Sequence, residues 1–223
     1  MNNFLPNFNF QNIDTTATNL LVCPDQYVAM YTPSTSKISS RTYLNIDYGY
    51  DATGNAVCNN LKNDTIVIVL ESPHKDEYCY VNGVLVPKGP LVGSWNGFQK
   101  LFHSAIQGSA VSRAISNIST YNIAFVNAVQ YQCSLGKTLY KNLNNAKQKN
   151  TNVINSWHSG FSGDLEKRLI ALKPIIIIDL SGKSQNIHNC IVDMIANLKV
   201  PFTCGIHPSR WVQCSSKGEI LID

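Results

Sequence analysis

Two β-branched runs, TIVIVL at 65–70 and IIIIDL at 175–180, constrain the fold of this chain more than any other feature. A strand exposed on one face alternates apolar and polar residues, whereas a continuous apolar run has to be covered on both faces, as in a parallel sheet between helical layers. NIAFVNAV at 122–129 is a third such run and VPFTCGI at 200–206 a weaker fourth. Helical patterns alternate with them: Gly97 to Gln107 after the first run, Asp164 to Leu172 before the 175 run, and Ser184 to Leu198 after it. This order predicts a three-layer α/β/α sandwich with a central, mainly parallel, four-stranded sheet. With 44% apolar and 14% charged residues, 223 residues suffice for one well-cored domain.

Residues 1–60 read differently. They are rich in Asn, Thr, Ser and Tyr, with short strand-like pieces at Tyr27 to Tyr31 and Arg41 to Asp47 broken by Pro33, Gly49 and Gly54. The expectation is an N-terminal extension packed on an α/β domain formed by residues 61–223. CYVNGVLV at 79–86 sets an Asn-Gly pair between alternating apolar residues, which predicts a type I′ hairpin standing over the loop after the first strand.

The seven cysteines are scattered, with no C-x-x-C pair and no Cys/His cluster at metal-ligand spacing. No metal, cofactor or disulfide framework is expected, and free thiols suit a reducing, cytoplasmic setting. The N-terminus MNNFLPNFNFQN has no basic region followed by an apolar run, and nowhere do eighteen apolar residues occur together, so no membrane contact is expected. Residues 1–134 carry 7 basic and 8 acidic side chains, whereas residues 135–223 carry 11 and 6. The cationic second half suits phosphate contact, although an ordinary solvated surface has the same look. A monomer is expected.

In parallel sheets ligands collect at the carboxyl ends of the strands, which selects the loops beginning at Glu71, Asn127, Ser181 and His207. LESPHKDE at 70–77 crowds Glu71, Ser72, His74, Asp76 and Glu77 behind a buried strand. Crowded carboxylates shift one another's proton affinity and can serve as a base or stabilise a cationic sugar, unless Glu71 or Asp76 merely caps the next segment. Asn127 offers an acceptor and two donors, enough for the Watson–Crick edge of a pyrimidine, though an Asn at a strand end more often closes a turn. In GIHPSRW at 205–211, Pro208 holds His207 out of a helix, from where its imidazole could stabilise a base oxygen gaining negative charge. Ser209, Arg210 and Lys183 are candidate phosphate contacts and Trp211 a candidate wedge between bases. SGKS at 181–184 is not a phosphate-binding loop of the Walker type, because Ile177 stands where that pattern needs a glycine.

Taken in order, ESPH (71–74), Glu77, GPLVGSWNG (89–97), FVNAV (125–129), IIIIDLSG (175–182) and HPSRW (207–211) resemble the uracil-DNA glycosylase superfamily over residues 65–211. The resemblance implies hydrolysis of the N-glycosidic bond of a nucleotide flipped out of DNA. In that reading Asn127 reads the base edge, His207 stabilises the departing base anion, and Glu71 and Glu77 face the sugar or the attacking water. Pro73 and His74 line the base, Leu91 falls where the family stacks a phenylalanine on it, and Trp211 where it has an intercalating side chain. Ser72 replaces an aspartate that positions water in the best-known branch, and a serine hydroxyl is no base without help. The cysteines of the iron–sulfur branch are missing, so no cluster is expected. His74 replaces a tyrosine that blocks the thymine methyl group, which suggests room for a 5-modified cytosine of phage DNA, and hence antiviral defence, beside uracil and repair. The rival readings are an inactive relative that binds a nucleotide or modified base, and an enzyme of free nucleosides or nucleotide messengers.

Overall fold

The computed structural model describes residues 21–61, 64–91, 94–131, 136–137, 142–143, 146–182 and 186–223. Seven strands carry the argument: β1 (Gln26–Thr32), β2 (Thr65–Leu70), β3 (Tyr78–Val81), β4 (Val84–Pro87), β5 (Tyr121–Asn127), β6 (Ile176–Asp179) and β7 (Phe202–Cys204). Six α-helices accompany them: α1 (Trp95–Ile106), α2 (Ala110–Ala114), α3 (Ala146–Ser156), α4 (Ser162–Leu172), α5 (Asn186–Asn197) and α6 (Trp211–Ser215).

The four expected runs form the parallel heart of one sheet in the order β7-β6-β2-β5. Every residue of β2, β5 and β6 is buried, as continuous apolar strands require. The expected four-stranded sheet is corrected to seven strands. β1 pairs antiparallel with β5, and the two-residue strands Lys37–Ile38 and Leu44–Asn45 pair with β1. The outer edge of β5 is apolar, so it needs a further strand to satisfy its backbone, and the segment read at Tyr27 to Tyr31 supplies it. Of the piece read at Arg41 to Asp47, only Leu44–Asn45 is extended.

Side chains alternate between two cores. Ile66, Ile68, Leu70, Phe125 and Ile178 face Phe98 and Phe102 of α1 and Trp211 of α6. Val67, Val69, Val126 and Ile177 face Leu165 and Leu169 of α4 and Ile187 and Ile191 of α5. Each fully buried side chain of this size contributes about 1.5–3 kcal/mol relative to exposure. The crossover from β2 to β5 runs over the α1 face, while those leading to β6 and to β7 run over the α4–α5 face in the other direction. The order therefore reverses between β2 and β6, and a crevice is expected outside their carboxyl ends.

The hairpin is present: β3 and β4 pair from Tyr78↔Pro87 to Val81↔Val84, with Asn82 and Gly83 both at positive φ, 52° and 78°. Its base is tied down by the Lys88 N–H donating to the Glu77 carbonyl at 2.7 Å, while Tyr80, Val81 and Val84 near its tip are exposed. Among the described residues no helix is long and apolar enough to cross a membrane.

Candidate active site

The carboxyl ends of β2, β5, β6 and β7 bring the selected loops to one edge of the sheet. Asn127 closes β5 on the α1 side, since its neighbours Ile123 and Phe125 belong to that core. Its backbone lies beyond the point where β1 can pair with it, because the β1 register begins at Gln26↔Phe125. Side chains complete the pairing instead. Asp25 Oδ1 accepts from the Asn127 N–H at 3.2 Å and from Gln130 Nε2 at 3.2 Å, and Arg168 Nη1 donates to the Asn127 carbonyl at 3.1 Å.

Asp25 and Arg168 belong to a buried network. Arg168 Nη1 lies 2.7 Å from Asp25 Oδ2 and Nε 2.8 Å from Asp164 Oδ2, with exposures of 1% or less for Arg168 and Asp25. Tyr48 Oη donates to Asp25 Oδ2 at 2.8 Å. Burial alone would lower the Arg168 affinity for its proton, but Asp164 and Asp25 together raise it above the ordinary value. Asp164 is pushed up by burial despite Arg168 beside it. The net effect is a rigid clamp on the backbone of Asn127.

The Asn127 side chain is in the opposite condition. It is 0% exposed, and neither Oδ1 nor Nδ2 completes a hydrogen bond of full geometry among the described residues, although the amide is near enough to Glu77 to favour its ionised form. A buried unsatisfied amide costs about 1–3 kcal/mol per group, so its retention needs a reason. Ser72 Oγ and Ser181 Oγ, at the ends of β2 and β6, are buried and unsatisfied in the same way. Orphaned polar atoms thus gather where strand ends should hold a ligand.

Glu77 lies beside this amide. Its carboxylate is buried, with Oε1 accepting from the Leu91 N–H at 3.0 Å and Oε2 3.9 Å from the Cys23 thiol. Burial raises its pKa from 4.5 to about 7, against the lowering influence of the Leu91 and His74 backbone, the Asn127 amide and Arg41. A carboxyl balanced near neutrality can take or give a proton. Glu71, at the end of β2, is also buried, and its carbonyl accepts from the Val129 N–H at 2.9 Å.

Leu91 covers this group, buried and held at a left-handed φ of 57°. Arg41, which the sequence did not single out, straps the cover down: Nη1 donates to the Leu91 carbonyl at 3.2 Å and Nη2 to the Pro90 carbonyl. Its guanidinium stands 5.3 Å from the Trp95 ring centroid. Gly89 is obligatory in this loop, because at φ 120° a Cβ would fall 2.0 Å from Gln26 Oε1.

His207 follows β7. Its Nδ1 accepts from the Ser209 N–H at 3.3 Å and lies 2.9 Å from Ser209 Oγ, an arrangement that assigns the proton of the neutral ring to Nε2. The loop sits on the α1 side, as Asn127 does, because Pro208–Arg210 packs on α1. Three strand spacings separate β5 from β7, about 14 Å, a gap that two side chains and one heterocycle span.

Other expected site residues are placed differently. Trp211 is 0% exposed, stacks on Phe98 at 5.3 Å and donates from Nε1 to the Ile206 carbonyl at 2.6 Å. It is a core residue that seats the His207 loop rather than an exposed wedge, because the apolar α1 layer offers the indole more burial than solvent does. His74 is half exposed, 3.2 Å from Asp76 Oδ2, while Pro73 is buried. Ser209 and Arg210 are exposed, and Lys183 lies outside the described residues. No family model, curated protein or solved structure matches this chain, so the chemistry of the site rests on its own geometry.

Proposed function

We propose that the protein hydrolyses the N-glycosidic bond of a nucleotide extruded from DNA, with a pyrimidine base bound at Asn127. The observation that carries this reading is the pairing of an unsatisfied buried amide with the Glu77 carboxyl of pKa about 7 at one sheet edge. The amide supplies donors and an acceptor for a base edge, and an ionised Glu77 accepts the proton of a water that attacks the sugar. As the bond between C1′ and the base nitrogen breaks, its electron pair leaves with the base, the water oxygen bonds C1′, and the water proton passes to Glu77. The His207 Nε2–H faces the base oxygen on which negative charge grows. Arg210 and the cationic second half of the chain provide the phosphate contacts that offset the few kcal/mol of extrusion.

A 5-modified cytosine is the preferred base, with uracil next. That preference rests on His74, whose imidazole is drawn out towards Asp76 and leaves less bulk beside Pro73 than an inward ring. Ser72, which has no basic group where a water-positioning carboxylate is wanted, favours one second reading, a protein that binds a nucleotide or modified base without cleaving it.

Duplex and single-stranded oligonucleotides containing uracil, 5-hydroxymethylcytosine or its glucosylated form, together with free nucleosides, separate these readings. Abasic product from a modified cytosine, slowed about two to three decades in His207→Ala with DNA binding retained, is the expected result. Product from uracil alone removes the modified-base reading. Tight binding with no product at high enzyme concentration turns the protein into the binder.

A further inference from the structure

A second polar cluster lies on the other face of the sheet and shares only Ser181 with the groups described above. Ile176, Ile178 and Leu180 turn towards α1, so Asp179, the last residue of β6, turns towards α5. Parallel pairing sets Cys204 of β7 directly opposite it. The first turns of α5 bring in His188, whose Nδ1 lies 2.6 Å from Asp179 Oδ2. One donor atom from each of the three residues lies within 4.8 Å of the other two.

Asp179 is 0% exposed, and among the described residues no lysine or arginine is salt-bridged to it. A carboxylate so placed requires a cation or a full set of hydrogen bonds. Only Oδ1 has a backbone donor, the Ser181 N–H at 2.9 Å. The buried Ser181 hydroxyl lies beside this carboxylate without completing a hydrogen bond of full geometry to it or to any other described residue. The His188 side chain is 14% exposed, which leaves a path from solvent.

We propose that Asp179, His188 and Cys204 bind one divalent transition-metal ion of the zinc type, with a fourth position open to water. A carboxylate oxygen, an imidazole nitrogen and a thiolate sulfur form a donor set that suits zinc and excludes the all-oxygen preference of magnesium and calcium. Metal bonds of about 2.0–2.3 Å set tetrahedral ligand atoms about 3.3–3.8 Å apart, so the Asp179–His188 pair opens by about an ångström, within reach of an imidazole rotation. The metal replaces the proton held between that pair and the thiol proton of Cys204, which are released to solvent. The cluster escapes a reading of sequence spacing because its members stand nine and sixteen residues apart and only the β6–β7 register joins them.

The test is a cobalt titration of the chelator-treated full-length protein. One equivalent should bind with a thiolate-to-cobalt band in the near ultraviolet and ligand-field bands of tetrahedral intensity, and zinc should displace it. Cys204→Ser should remove the near-ultraviolet band, His188→Ala should weaken binding at least about tenfold, and Cys79→Ser should change neither. Zinc at about a hundred times its Kd should raise the wild-type Tm by roughly 5–10 °C, a readout that stands even where a variant fails to fold. Absence of the near-ultraviolet band, its survival in Cys204→Ser, or a wild-type Tm indifferent to zinc overturns the site. These readouts measure binding alone, so their outcome is independent of whether the protein cleaves a glycosidic bond.

Discussion

Two buried polar clusters meet at Asn127 and differ in one respect. On the backbone side, Asp25, Arg168, Asp164 and Tyr48 bond one another at 2.7–2.8 Å, and all three guanidinium nitrogens of Arg168 donate. On the side-chain side, the Asn127 amide and Ser72 Oγ complete no hydrogen bond of full geometry among the described residues, the amide only leaning on Glu77, whose pKa is raised. A densely hydrogen-bonded network holds a shape, because each buried charge in it faces an opposite charge or a donor. An unsaturated one keeps bonding capacity in reserve for something absent, at a cost to stability. The difference teaches which buried polar residues to assign to architecture and which to binding.

Substitutions should separate the two clusters in opposite directions. The largest effect is expected from Arg168→Met, which strands Asp25 and Asp164 and frees the Asn127 carbonyl. Denaturant unfolding should show a loss of about 3–5 kcal/mol; a loss below about 1 kcal/mol would mean that the network holds nothing together.

Glu77 comes next, through pH. Its folded pKa of about 7 exceeds the ordinary 4.5, so the folded state binds the proton more tightly than the unfolded chain does. The resulting stability is fully present below about pH 4.5 and is lost as pH rises through about 7, amounting to about 3 kcal/mol. Glu77→Gln should flatten this dependence and raise stability at pH 8, while abolishing the rise of kcat/KM through neutrality expected of a general base. An unchanged pH profile of unfolding would place Glu77 in water rather than in a buried site.

Asn127→Leu should gain up to about 1–3 kcal/mol by removing an unsatisfied amide, and should cost about a hundredfold in turnover. A stability loss instead would show that the amide already has its partner. The smallest structural effect belongs to Arg210→Ala on the exposed loop: within about 0.5 kcal/mol in stability, with the salt dependence of DNA binding reduced by about one phosphate contact.

Much of the scaffold could be read from residue order, and for a local reason. TIVIVL and NIAFVNAV admit few structures besides strands covered on both faces, and the Asn82–Gly83 pair demands a left-handed turn. Asn127 and His207 were also visible as polar groups ending apolar runs, and Glu77 as one of the polar residues crowded behind the first. What escaped were the residues whose role depends on distant partners. Asp25 and Arg168 lie 143 positions apart, and nothing in either neighbourhood announces the other. Arg41 sat in a polar stretch with no periodicity, yet it straps the loop at Pro90 and Leu91. Trp211, beside a proline and an arginine, had the look of a surface wedge until the α1 layer claimed it.

Hydrophobic patterning by itself determined the parallel strands, the helices between them and the edge where polar groups collect, because side-chain period and backbone propensity act over a few residues. Tertiary structure alone decided the strand order, the burial of Trp211, the outward turn of His74, the neutral-range carboxyl of Glu77 and the meeting of Asp179 with His188 and Cys204. Those properties depend on what surrounds a group after folding, since desolvation and ionic pairing act through space and not along the chain.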